Sequence, residues 1–575
     1  MSDVSELVAL EKEIDHKVAA LPILREPVRV TLCALLRVLH SLMHGTPATA
    51  TPPNREAATA LAARLSHLVP LLASCPSGPT GVDAQQAMEV YAALDPTGEQ
   101  LKLLISYAHF ADVMPEVHRD YFSVGREAEH RFLLRHRSSK LASAEAEDIL
   151  LSELALGFAI TRHQIPAAVF DRMTKRKPGT LSGEGIIAIK TLNSHFQDHV
   201  FEVPLVTDDG LRSAIGVTYR ELNRFRAALL AMATFANELA LAYARVLAKL
   251  THDEAFGEWL HWIAPTWGLE FLRGYLITES GLSDEASERL LSLLSIDVRT
   301  NQPSILHARD GYFPPIWQLP GNLLLASDPA MMFIQARNLL FSVQQTDKKL
   351  FDDLVSHHLE PALVSFAARI LNDVPMLHLQ ENVEWTGGGT KGEIDLLVFE
   401  ETSNTALHIQ AKAPLPPQGA RMVQRLENRL EEGISQLGRF RKLPAADRDR
   451  IISQATGRSV YGVEVVDVLL ARSCFGTAAI CEEANGIRMI SLAVLAGAVA
   501  DCSETDQLDV RSVLNACEGI RHQLIQAAKL NWKHEHLRVG NLVDLELPLL
   551  NFDHKAVADM RYRVWRNHGA LGTVS

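Results

Sequence analysis

Lys391–Lys412, KGEIDLLVFEETSNTALHIQAK, is the stretch whose reading decides the fold. At period two, Glu393, Asp395, Leu397 and Phe399 fall on one face of a strand, and Ile394, Leu396 and Val398 fall on the other. The turn formers Glu400–Thr405 interrupt the run, alternation resumes over Ala406–Ala413, and the spacing predicts a hairpin. In its second strand His408, Gln410 and Lys412 share a face, opposite Leu407, Ile409 and Ala411. Asp395, Gln410 and Lys412 are thereby expected on a common surface. Strand rise separates Gln410 from Lys412 by about 7 Å, close enough for one metal-bound water between them.

Outward from the hairpin, Lys349–Leu371 reads as a helix with Pro361 inside it, so a kink or restart is expected near Glu360. A strand over Met376–Trp385 and the loop TGGGTKG follow. The loop lacks the Walker pattern and precedes a strand, so it is read as a tight turn and not a phosphate cradle. Beyond Lys412 come a Pro-rich loop, APLPPQG, a helix over Gln418–Lys442, strands at Val460–Ala471 and Gly486–Ile490, and a helix over Ser491–Ala500. The adjacent His357 and His358 point apart on a helix and are read as structural.

The first 345 residues read as mainly helical, in segments 1–115 and 116–345, broken at HGTPATATPPN, SCPSGPTG and Lys175–Gly183. Val117–Thr174 is expected to be helical. Arg131 and His136 have an Arg-x4-His spacing that is taken as a solvated helix face, and the aromatics of Glu258–Leu276 are taken as core. A third unit spans 346–502. The last, 503–575, carries a helix over Leu508–Trp532, an alternating stretch at Leu537–Leu550 and a short helix at Ala556–Arg566.

Composition narrows the function classes. The 575-residue chain is 47% apolar and 22% charged, ordinary for a globular protein, and its net charge of −13 means that any nucleic-acid site must be local. Six cysteines without a CxxC pair indicate neither a zinc ribbon nor a disulfide framework. The N-terminus lacks signal-peptide character and the Ala- and Leu-rich Ala227–Leu250 reads as buried helix, so a cytoplasmic location without membrane contact is expected.

Gly392-Glu393-Ile394-Asp395 with Gln410-Ala411-Lys412, in this order of helix, hairpin, helix and strands, resembles the active-site signature of the restriction endonuclease-like PD-(D/E)xK superfamily. The likeness covers roughly 348–500 and is nearest the Mrr-like branch, in which Gln-x-Lys replaces Glu-x-Lys. It implies an α/β domain, a central mixed β-sheet flanked by helices, joined to the mainly α N-terminal region. It also implies that Asp395 and Gln410 bind Mg²⁺ (Mn²⁺ as the alternative), that Lys412 orients or activates the attacking water, and that Glu360 is the helix-borne acid, with Asp352 and Asp353 as competitors for that role. Gln436 in QLGRF resembles the Gln-x3-Tyr motif of RecB-like members, with Phe440 in place of Tyr. Arg421 and Arg425 lie on the same basic helix, which could meet phosphates.

The activity implied is metal-dependent hydrolysis of DNA phosphodiester bonds by an endonuclease, in a setting of bacterial defence against foreign DNA. Double-strand cleavage by one site calls for a homo-oligomer, and the helical region is where a partner protein would engage. The alternative is a nonenzymatic nucleic-acid-binding or assembly protein with a degenerate nuclease fold. Gln410 is what keeps that alternative open: a neutral amide forgoes several kcal/mol of gross attraction to a cation at about 4 Å and an effective dielectric of about 20.

Overall fold

The computed structural model describes residues 3–45, 55–78, 84–155, 158–160, 163–175, 182–202, 204–247, 253–298, 313–320, 322–325, 331, 334–374, 376–415, 420–476, 478–505 and 509–566. The breaks expected at HGTPATATPPN, SCPSGPTG, Lys175–Gly183 and APLPPQG lie wholly or partly outside them.

The N-terminal region is built from helices. Its axis is Tyr219–Leu247, a helix long and apolar enough to cross a bilayer by length and composition; here 89% of its most apolar window is buried. Two of its strands, β1 (Phe122–Ala128) and β2 (Arg131–His136), form a hairpin where helix was expected. The turn is made by His130 in the left-handed region, φ +59°, and Phe132 and Leu134 are fully buried from one side of β2. On a strand, Arg131 and His136 point to opposite faces. Each is engaged separately, His136 with Glu145 at 2.6 Å and Arg131 with Glu127 at 3.2 Å. Short strands β3 (Phe158–Ile160) and β4 (Val200–Glu202) pair with each other, and β5 (Thr266–Gly268), β6 (Ser295–Asp297), β7 (Ile316–Leu319) and β8 (Asn322–Leu325) form a four-stranded sheet.

The second half holds a five-stranded mixed sheet: β9 (Leu377–Gly387), β10 (Thr390–Glu400), β11 (Thr405–Lys412), β12 (Glu464–Ala471) and β13 (Arg488–Ser491), in spatial order β13-β12-β11-β10-β9. β9, β10 and β11 run antiparallel, and β12 and β13 join parallel to β11. Helices cover both faces. Glu360–Leu371 packs on one side with Leu492–Glu504 against it. Ala420–Arg441 lies over β10–β12, and Ala445–Thr456, absent from the sequence reading, covers β9.

The helix before the sheet widens ahead of Pro361 without breaking. Lys348–Leu354 is α-helical, Val355–Leu359 is a π-turn with the Glu360 N–H bonded to the Val355 carbonyl, and Glu360–Leu371 continues as α-helix, so the wider turn accommodates the proline. The tail alternation at Leu537–Leu550 is two strands, β14 (Asn531–Val539) and β15 (Val543–Asn551), closing at Gly540, φ +56°. β15 pairs parallel with β2, so the second four-stranded sheet, β1-β2-β15-β14, joins distant parts of the chain.

Contacts between the helical region and the mixed-sheet half are polar as well as apolar. Asp148 accepts the backbone N–H groups of Phe475 and Gly476, at 2.5 and 3.0 Å, and the buried Arg472 donates to the carbonyls of Pro204 and Leu205. Arg119 pairs with Glu427 on the Ala420–Arg441 helix.

Candidate active site

Asp395 stands where strand pairing gives way. The β10–β11 ladder ends at Leu396↔Ile409, and the β9–β10 ladder passes from Ile394↔Val383 to Leu396↔Glu381, so among the described residues Asp395 has no ladder partner on either side. Asn382, opposite it, has φ +54°. The irregularity shifts the side-chain phase: Ile394, expected with Leu396 and Val398, packs instead with Leu397 and Phe399. Two side-chain bonds replace the missing ladder. The Asp395 carboxylate accepts the Ala411 N–H at 2.7 Å, and Gln410 Nε2 donates to the Glu393 carbonyl at 2.6 Å.

That second bond fixes the Gln410 amide, because only its nitrogen can face a carbonyl oxygen. Gln410 is fully buried, and its Oε1 has no hydrogen-bond partner. An unmet buried acceptor costs about 1–3 kcal/mol. Lys412, 5% exposed, is the next residue on the same face. Its burial depends on Gly433: a Cβ there would lie 3.1 Å from Lys412 Cγ and 2.7 Å from Leu469 Cδ1, so only glycine lets the helix settle onto the lysine stem.

Glu360, at the start of its helix, meets the lysine from the far side, with Oε1 3.6 Å from Nζ. Of the three competing acids it is the one placed there; Asp352 lines a separate cleft and Asp353 is exposed. Burial pushes the Asp395 carboxyl up to about 6, against the opposing pull of Lys412 and the Ala411 N–H, with Glu360 and Glu393 adding to the rise. Glu360 is also raised by burial, with Lys412 again opposing. The sequence therefore brings Asp395, Gln410, Lys412 and Glu360 into one neighbourhood, with Glu393 beside them.

The nucleic-acid candidates part company. Gln436 lines a cleft of about 850 Å³ with Glu393, while Arg425, about 16 Å along the same helix by helical rise, lines the smaller cleft that holds Asp352. Arg421 lies in the first turn of the helix, and its side chain is outside the described residues. Phe440, where the motif has Tyr, is core: its ring packs on Trp385 and His408 at centroid distances of 5.6 and 4.5 Å. Sequence reading also missed Lys391, Arg439 and Arg450 as a group, because strand and two helices bring them to one cleft.

A second polar constellation went unread. His408, one pleat back from Gln410, bonds Asp467 on β12 at 2.8 Å, and Arg441 bonds the other Asp467 oxygen at 2.7 Å. Arg441 also donates to the carbonyls of Asn485 and Gly486.

No family model, curated protein or solved structure matches the chain. Among the described residues no group of three or more His, Cys, Asp or Glu side chains is placed to hold a metal ion. The donor set at Asp395 is of another kind: one carboxylate and one orphaned amide oxygen. That suits a hard cation such as Mg²⁺, which keeps several waters and takes one or two protein carboxylates plus substrate oxygens.

Proposed function

We propose that the chain is a metal-dependent nuclease hydrolysing DNA phosphodiester bonds, with Asp395 and Gln410 as cation ligands, Glu360 as the helix-borne acid, Lys412 beside them and Mg²⁺ as the cation. The observation that carries this is the Gln410 amide, locked by its nitrogen and left with a buried, partnerless oxygen, on the strand that also bonds a carboxylate whose charge burial disfavours. Both groups gain from a cation. The mixed sheet, with the acid arriving from the preceding helix, supports a restriction endonuclease-like arrangement.

Bound there, a divalent cation supplies charge neutralisation at a phosphodiester oxygen and a lowered pKa for the attacking water. The rest is done by the chain. Asp395 is oriented by the Ala411 N–H, Gln410 by the Glu393 carbonyl, and the Lys412 ammonium is held by Glu360 and the Gly433 contact where it can stabilise negative charge developing on phosphorus oxygens. Water is excluded from the lysine stem by the Ala420–Arg441 helix, which strengthens each of these interactions.

A binding-only reading is favoured by one feature, the amide at 410 in place of a carboxylate. Supercoiled and linear DNA incubated with Mg²⁺, Mn²⁺ or EDTA, beside Asp395→Ala and Lys412→Ala, separates the two. Metal-dependent nicking reduced at least about 100-fold by either substitution is expected. Nicking that survives both sinks the site, and DNA binding without cleavage in any metal selects the binding-only reading.

A further inference from the structure

The cleft beside Glu393 has no assigned role, and its charge differs from that of the chain as a whole. One wall is the β9–β10 arm, carrying Lys391; the other is formed by the Ala420–Arg441 and Ala445–Thr456 helices, carrying Arg439 and Arg450. All three are exposed in a chain of net charge −13. Arg450 is already set in place, donating to the Thr386 carbonyl at 3.0 Å and contacting Asp447 at 3.3 Å, with its side chain 46% exposed. The acids of the cleft, Glu384 and Glu393, are direct cross-strand partners on the arm. Like charges placed so repel each other and any phosphate near them.

The cleft opens beside the catalytic groups, because Glu393 is two residues from Asp395 and Gln436 is three residues past Gly433, the position that touches Lys412. Its two walls run in opposite senses from there: Lys391 lies four residues back from Asp395 on β10, whereas the helix carrying Arg439 runs from Lys412 toward His408, where Phe440 packs. The cations therefore stand on both walls of the cleft and not in a single row.

We infer that this cleft is the track for the sugar-phosphate backbone of the DNA strand being cut, with Lys391, Arg439 and Arg450 gripping phosphates that flank the scissile one. The inference rests on the nuclease reading for its substrate, and it assigns the strand to this cleft and not to the one lined by Arg425. Lys391 and Arg439 are positioning residues, acting on phosphates remote from the reacting one.

The test is fluorescence anisotropy of a labelled short DNA duplex in EDTA across a salt series, for the wild type, Asp395→Asn and the double variant Lys391→Ala/Arg439→Ala. Arg450 is left in place because it also braces Thr386. The double variant is expected to bind about tenfold or more weakly at low salt, and its slope of log affinity against log salt to fall by about 1.8, two phosphate contacts at 0.9 each. Asp395→Asn is expected to bind at least as tightly as wild type. In Mg²⁺, the double variant is expected to raise KM about tenfold while kcat changes less than about threefold, since the phosphates it releases are not the reacting one. Unchanged affinity and slope in a double variant with wild-type circular dichroism overturns the track, even if cleavage is intact. Cleft-dependent binding with no cleavage in any metal keeps the track and overturns the nuclease reading instead.

Discussion

Strand β11 carries two buried polar sites one pleat apart, and they are built on opposite principles. At His408 the network is closed toward its carboxylate: Asp467 has both oxygens taken, by His408 and by Arg441, and these partners hold its carboxyl below the usual range although burial alone would raise it. His408 is lowered, chiefly by burial, and its remaining nitrogen has no partner and its ring sits against Phe440. At Asp395 the balance is reversed. Burial outweighs Lys412 and the Ala411 N–H, the carboxyl is raised to about 6, and Gln410 keeps an unmet oxygen. The difference lies in the carboxylates: the fold bonds both oxygens of Asp467 and favours its charge, whereas it leaves the charge of Asp395 disfavoured, which is what a cation site requires.

The contrast can be broken most forcefully at Asp467. Asp467→Ala strips the buried His408 and the part-exposed Arg441 of their shared acceptor, and a loss of about 2 kcal/mol is expected in urea unfolding, since His408 is left without its buried partner. Metal-dependent thermal shifts should be unaffected.

Asp395→Asn should move stability the other way. Because the folded-state carboxyl is raised from 3.8 to about 6, its ionisation opposes folding: the group's favourable contribution is complete below about pH 4 and lost as pH rises through 6. At pH 8 without metal, the asparagine variant is expected to be more stable by about 1–2 kcal/mol, the gain shrinking toward zero as pH falls from 6 to 4. Mg²⁺ should stabilise the wild type at pH 8 and leave the variant unmoved. A variant that is less stable at pH 8 would show that the fold, not a ligand, is Asp395's reason for being there.

The smallest effect is expected from Gly433→Ala. Helix propensity favours alanine by about 1 kcal/mol, while the new Cβ presses on Leu469 and the Lys412 stem. Net stability should change by less than about 1 kcal/mol, yet cleavage should fall roughly tenfold because the ammonium is displaced. Urea unfolding and plasmid nicking on the same preparation read both quantities.

Much of this site was legible in the sequence for local reasons. The hairpin and the irregular turn before Glu360 follow from period-two alternation and from a proline that a regular α-helix does not accommodate, and the strands β12 and β13 fall where apolar runs place them. What escaped is non-local. Alternation put Ile394 on the wrong side because the phase slip at Asp395 depends on Asn382 of a neighbouring strand. Phe440 reads as a motif residue until Trp385 and His408 are seen to enclose it. The β1–β2 hairpin was taken for helix because the exposed side of β1 carries charges, and the apolar residues that give it away face a strand from the far end of the chain.

That last pairing has a consequence during synthesis. β2 emerges early, but the edge it offers is filled only when β15 arrives, with Phe132 opposite Leu545 and Leu133 opposite Glu546. At translation speeds of 5–20 residues per second, the interval is roughly 20–80 s. Through that time an unpaired strand edge beside buried-type side chains is open to any extended segment nearby. Synthesis of β15 is therefore also the step that closes this exposed edge, and a ribosome stalled before it would release a protein with a sticky edge.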